Sequence, residues 1–140
     1  MKVCGIEIKA NEAILALAER QGASFHYLPL PLKKLALADD DLAANVKAFR
    51  AQLEALVDAH QLSHIAIKKR SKKGEFAGGP ITFKIEAILQ LLEGCEVTLL
   101  SPQTISAMQK KQQLELPAAL NKYQHDAFLT ACTALTKLVS

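Results

Sequence analysis

Apolar and polar positions along the chain divide it into short elements. Val3, Cys4, Ile6 and Ile8 make residues 2–9 a strand, and the polar turn Ala10-Asn11-Glu12 follows it. Residues 13–17, Ala-Ile-Leu-Ala-Leu, return as a second strand. Ala and Leu also favour helix, but a tight polar turn between two apolar runs suits a hairpin better. Gln21-Gly22 is the next break, and residues 24–28 form a third strand, with Phe25 and Tyr27, stopped by Pro29 and Pro31.

From here the period changes. Asp39, Asp40 and Asp41 look like a helix start, their carboxylates placed to cap free amides and meet the positive end of the helix dipole. The helix runs to about Ala59, with Leu42, Val46, Phe49, Leu53, Leu56 and Val57 on one face. A fourth strand centres on Ile65-Ala66-Ile67. A basic run and a Gly-rich turn from Gly74 to Pro80 come next. Pro80 opens a helix striped by Ile81, Ile85, Ile88, Leu89 and Leu92, which Gly94 ends. Residues 96–100 are a fifth strand. Ser101-Pro102 starts a shorter helix carrying Ile105 and Met108, and a last helix, about 122–138, buries Phe128, Leu129, Cys132, Leu135 and Leu138.

Three consecutive strands fit an antiparallel meander, and later strands alternating with helices fit parallel crossovers. The expectation is therefore one α/β domain over residues 1–140 with a mixed sheet. Its length is ordinary for a single domain, and half hydrophobic with 22% charged is the balance of a folded chain. No internal repeat competes.

Composition excludes more than it selects. Cys4, Cys95 and Cys132 are widely spaced in apolar stretches, with no zinc-ligand pairing, and read as free thiols. Glu7, Lys9 and Glu12 interrupt the apolar N-terminus where a signal peptide needs a continuous core, and no segment has the length of a membrane span. A cytoplasmic location without membrane association is expected. The net charge of +3 is small, but Lys68, Lys69, Arg70, Lys72 and Lys73 place five cations within six positions. Such a run is either a solvated loop or a phosphate contact. Gly78-Gly79 before the Pro80 helix offers backbone amides suited to an anion, without the Gly-Lys-Ser/Thr of a Walker loop. His26, His60, His64 and His125 lack zinc spacing, and Ser71 and Ser101 lack a triad context.

With these elements in place, the chain resembles RuvC-like members of the RNase H superfamily across most of its length. Val3-Cys4-Gly5-Ile6-Glu7 is similar to their first strand, where a Gly-Ile pair precedes a metal-binding carboxylate. Residues 64–68, 97–102 and His125-Asp126-Ala127 are similar to the fourth strand, the fifth strand with its helix, and the start of the last helix. The opening MKVCGIEIK, the Lys-Gly-Glu-Phe-Ala-Gly-Gly-Pro segment and residues 123–128 also look similar to a small bacterial family of uncharacterised proteins.

The resemblance implies an RNase H-like three-layer fold. Its five-stranded mixed sheet would have the order 3-2-1-4-5, with helices on both faces. It also implies a nucleic-acid partner, leaves a homodimer open, and points to Mg²⁺ or Mn²⁺ held by Glu7 and Asp126. Nucleases of this superfamily hold two ions with clustered carboxylates. Here Lys68 stands where the fourth strand carries a carboxylate, Tyr123 stands three residues before Asp126 where another is expected, and Lys9 replaces a glycine. Two readings stay open. In one, a nucleic-acid-binding or processing groove has Glu7, Asp126 and Lys68 at its floor, with Lys69, Arg70, Lys72, Lys73, Gly78 and Gly79 at its rim. In the other, a catalytically inactive interaction module has Lys68 replacing the metal. A phosphotransferase of the actin-like type ranks below both, for want of Gly-rich phosphate loops and a second domain.

Overall fold

The computed structural model describes residues 1–74 and 78–138. Its central sheet begins with β1 (Lys2–Lys9), β2 (Glu12–Gln21) and β3 (Ser24–Leu28) as an antiparallel meander. β5 (His64–Lys68) then lies parallel to β1, and β6 (Glu96–Leu100) parallel to β5. The spatial order β3-β2-β1-β5-β6 is the order expected for five strands. The sheet has a sixth strand that the expectation lacked. β4 (Lys34–Ala36) pairs antiparallel with the first residues of β2 and continues the position that β3 vacates.

Alternation sends the two faces of each strand into different cores. On one side Cys4, Ile6, Ile8, Ile65 and Ile67 pack against α1 (Ala43–His60) and α2 (Pro80–Gln90). On the other side Val3, Ala16, Ala18 and Ala66 meet α3 (Pro102–Gln112) and α4 (His125–Leu138). β1 and β5 are covered on both faces, so they read as near-continuous apolar runs, as parallel strands do. This makes three layers with helices on both faces. Among the described residues no helix is long and apolar enough to cross a membrane.

The helix ends depart from expectation in three places. Residues 39–41 do not cap α1, whose N-cap is Leu42 without a side-chain hydrogen bond. Asp39 instead accepts from the Asp41 amide at 3.3 Å, and Asp40 is drawn to Lys84 of α2 at 3.2 Å. Leu42 is consequently exposed, as is Leu138, where α4 runs past the core. The last helix begins as a 3₁₀ turn, Lys122–Gln124, and becomes α-helical at His125. Ser101 does cap α3, accepting from the Thr104 amide at 3.1 Å, with Pro102 in the first turn. Cys4 and Cys132 are buried thiols whose pKa burial pushes up to about 12, and Cys95 is half-buried. Of the Gly-rich turn, residues 75–77 lie outside the described residues.

Candidate functional site

Glu7 interrupts the apolar run of β1 between the buried Ile6 and Ile8, and β1 and β5 pair in parallel so that Glu7 is opposite Lys68. Both side chains take the α4 face by alternation, Glu7 in step with Val3 and Gly5, and Lys68 in step with Ala66. Asp126 comes to the same place from the first turn of α4. Two features bring it close enough. Gly5 has no side chain, and a Cβ there would lie 1.9 Å from the Ala127 carbonyl oxygen and 2.7 Å from the Ala131 amide, so α4 backbone lies directly on β1. Gln124, fully buried, donates from Nε2 to the Leu15 carbonyl at 2.9 Å, and its Oε1 accepts from the Asn121 amide at 3.1 Å. These bonds fix the start of α4 against β2, one residue before His125.

The three residues form a charge cluster at the strand ends. Lys68 Nζ donates to Asp126 Oδ2 at 3.0 Å and lies 4.0 Å from Glu7 Oε2. Glu7 and Lys68 keep only 17% and 23% of their side-chain surface, while Asp126 keeps 47%. The two carboxyls therefore differ. Burial, then the charge of Asp126 and a hydrogen bond shared with it, raise the Glu7 pKa to about 7 against the pull of Lys68 and Lys9. Burial acts on Asp126 in the same direction, but the hydrogen bond and charge of Lys68 outweigh it and hold Asp126 below the usual carboxylate range. The arrangement is an ion pair, Asp126 with Lys68, beside a carboxyl that holds its proton well above the usual carboxylate range and shares it with Asp126.

These residues do not fit a two-ion centre. Such a centre needs several anionic oxygens turned inward. Among the described residues no group of three His, Cys, Asp or Glu converges. The third position around the two carboxylates belongs to an ammonium group, and Tyr123 is turned outward, its ring 5.0 Å from Lys34 Nζ.

The expected rim is only partly assembled. Lys69, Lys72 and Lys73 are exposed and line, with Ser101 and Gln103, an open depression of about 390 Å³ where β5 and β6 end. Arg70 lines it too, but its guanidinium donates to the Ile8 carbonyl at 3.1 Å and ties the loop to β1. Gly78 does not offer its amide, which donates to the Ser71 carbonyl at 2.9 Å. Its lack of a side chain lets the Arg70 and Thr82 side chains approach. Gly79 is the N-cap of α2, and His64 pairs with Glu96 at 3.2 Å. Sequence reading missed Gly5 and Gln124 as the residues that position the cluster. A glycine inside an otherwise apolar strand was the available signal for the first. Asn121 followed three residues later by Gln124, the spacing of a capping box that the structure forms, was the local signal for the second.

A model of the DUF3010 family, described as a protein of unknown function, matches residues 1–134. The chain belongs to that family. No curated protein matches the sequence. Among solved structures, RuvC of Thermus thermophilus is similar over 99% of this chain and 96% of its own, at 15% identity with a TM-score of 0.71. The same protein in complex with a Holliday junction substrate gives 0.74, also at 15% identity, over 99% of this chain and 95% of its own. A fowlpox virus resolvase in complex with Holliday junction DNA gives 0.57 at 12% identity over the full length of both chains. The DUF3010 chain thus has the RNase H-like fold of the RuvC type. At these identities the likeness is one of fold.

Proposed function

We propose that this protein binds nucleic acid at the ends of β1 and β5 and holds it without two-metal hydrolysis, because Lys68 takes the place of the metal. The observation that carries the reading is the Lys68 ammonium, bonded to Asp126 at 3.0 Å and 4.0 Å from Glu7. An internal cation there supplies the positive charge that two facing carboxylates require. It leaves no room for an ion without first being displaced. Support for nucleic acid comes from the exposed Lys69, Lys72 and Lys73 beside the cluster. The Holliday junction complexes of the similarly folded RuvC and resolvase support it as well. Lysines in such a loop act on phosphates as point charges, which gives affinity without reading bases.

Binding and cleavage of labelled four-arm junction, duplex and single-stranded DNA, measured at low salt with Mg²⁺ or Mn²⁺ present, test the reading. Binding without cleavage is expected. Exchanging Lys69, Lys72 and Lys73 for Ala should reduce the slope of log K against log salt by about three. Arg70 stays unaltered in that variant because it holds the loop. Metal-dependent cleavage that disappears in Glu7→Gln and Asp126→Asn would overturn the role of Lys68. Absence of binding to every form would leave the inactive interaction module as the better reading.

A further inference from the structure

The basic depression at the strand ends does not stop there. It shares Pro102 and Gln103 with a second depression of about 410 Å³ on the outer face of α3, lined also by Ser106 and Lys110. That one shares Ala107 with a third, about 350 Å³, in the groove between α3 and α4, where Lys111, Thr133 and Thr136 lie. The three form one continuous track from the loop after β5, over the N-terminus of α3, to the last turn of that helix. Among the described residues its lining contains Lys69, Lys72 and Lys73 at one end and Lys110, Lys111 and Lys137 at the other, and no Asp or Glu. Among the described residues, Lys69, Lys72, Lys73, Lys110 and Lys111 are without a carboxylate partner. The opposite layer has the other sign. α1 and the turn before it hold Asp39, Asp40, Asp41, Glu54 and Asp58 against Lys47 and Arg50, so a polyanion leaving the cluster is directed along α3 and away from α1.

We infer that α3 is a docking surface for a duplex arm that extends from the strand-end site. This rests on the nucleic-acid reading above and names the form of nucleic acid. Double-stranded rather than single-stranded acid follows from what the track lacks. Grooves for single strands stack bases on aromatic rings, whereas among the described residues this lining is made of Lys, Arg, Ser, Thr, Gln, Pro, Ala and Met, without an aromatic residue. Such a surface suits the backbone of a duplex, whose bases are already stacked on each other. The scale also fits. The 11 residues of α3 span about 16 Å, the rise of about five base pairs. Lys110 and Lys111, on its last turn, therefore meet phosphates only when the arm is long enough to reach them.

The experiment uses the full chain and the variant Lys110→Glu/Lys111→Glu, with Lys47→Glu on α1 as a charge-change control and thermal melts to verify folding. Affinity is measured for four-arm junctions with arms of about 16 base pairs and for single strands, across salt. With junctions the double variant should bind about tenfold more weakly at low salt, with a salt slope smaller by about two. With single strands it should match the parent, and Lys47→Glu should match the parent throughout. Equal losses on junctions and single strands, no loss on junctions, or the same loss in Lys47→Glu would overturn the track. If the parent binds while the double variant is unaffected, the track alone fails. If the parent binds none of these acids, the strand-end reading fails with it.

Discussion

Glu7 owes its high pKa first to burial and then to the second carboxylate beside it, and this has a consequence for stability with a definite sign. The unfolded chain releases the Glu7 proton near 4.5, whereas the folded protein keeps it until about pH 7. A carboxyl raised in this way contributes stability below its unfolded pKa and loses it as the pH climbs through the folded one. Stability should therefore fall between about pH 4.5 and 7, by at most about 3 kcal/mol and by less to the extent that solvent reaches Asp126. Glu7→Gln mimics the protonated form and should remove that slope. Urea unfolding of the two proteins from pH 4.5 to 8 checks it, and an unchanged slope in the variant would assign the pH dependence to another group. Asp126 acts in the opposite sense, since its lowered pKa supports the fold above about pH 4 and withdraws that support in stronger acid. The side-chain direction of Lys68 was legible from strand alternation with His64 and Ala66. Its partners were legible only through the fold, because Glu7, Lys68 and Asp126 are distant in sequence and nothing but the β1 to β5 register and the seat of α4 unites them.

That seat is an element-scale property. α4 lies on β1 through Gly5, Ala127 and Ala131, a contact of backbone with backbone in which neither side can give way. Gly5→Ala should lift α4 off the sheet and destabilise the protein by about 3 kcal/mol or more, at the upper end of overpacking effects. Thermal or urea melts decide it, and a change within about 0.5 kcal/mol would mean that the contact is looser than it stands. The long elements were legible because their apolar periods are strong, as in Phe49, Leu53, Leu56 and Val57 of α1 or Ile85, Ile88 and Leu89 of α2. β4 was not, since three residues cannot display alternation and Pro29 and Pro31 precede them. Residues 39–41 misled for a different reason. Three carboxylates before a periodic run have the chemistry of a cap, but a tertiary contact with Lys84 claims Asp40 and a local turn claims Asp39. Gly78 likewise had the composition of an anion site, and the fold committed its amide to Ser71.

At the scale of the whole molecule the sheet separates two electrostatic environments, an acidic layer around α1 and a basic track along α3, with the Glu7, Lys68 and Asp126 cluster where the track begins. The strand order that brings β1 beside β5 was legible from the order of elements and the resemblance they carried. The charge separation was not, because Lys110 and Lys111 join Lys69, Lys72 and Lys73 only through the packing of α3. The proposed function turns on Lys68 standing in for a metal. Isothermal titration of Mn²⁺ and Mg²⁺ into the parent and into Lys68→Glu measures that most directly, since Glu at this position faces Glu7 across the β1 to β5 pair and completes a carboxylate set with Asp126. The expected result is little or no binding by the parent and saturable binding by the variant, accompanied by a metal-dependent rise in its melting temperature. Equal metal affinity in the two proteins, or none in the variant, would contradict it.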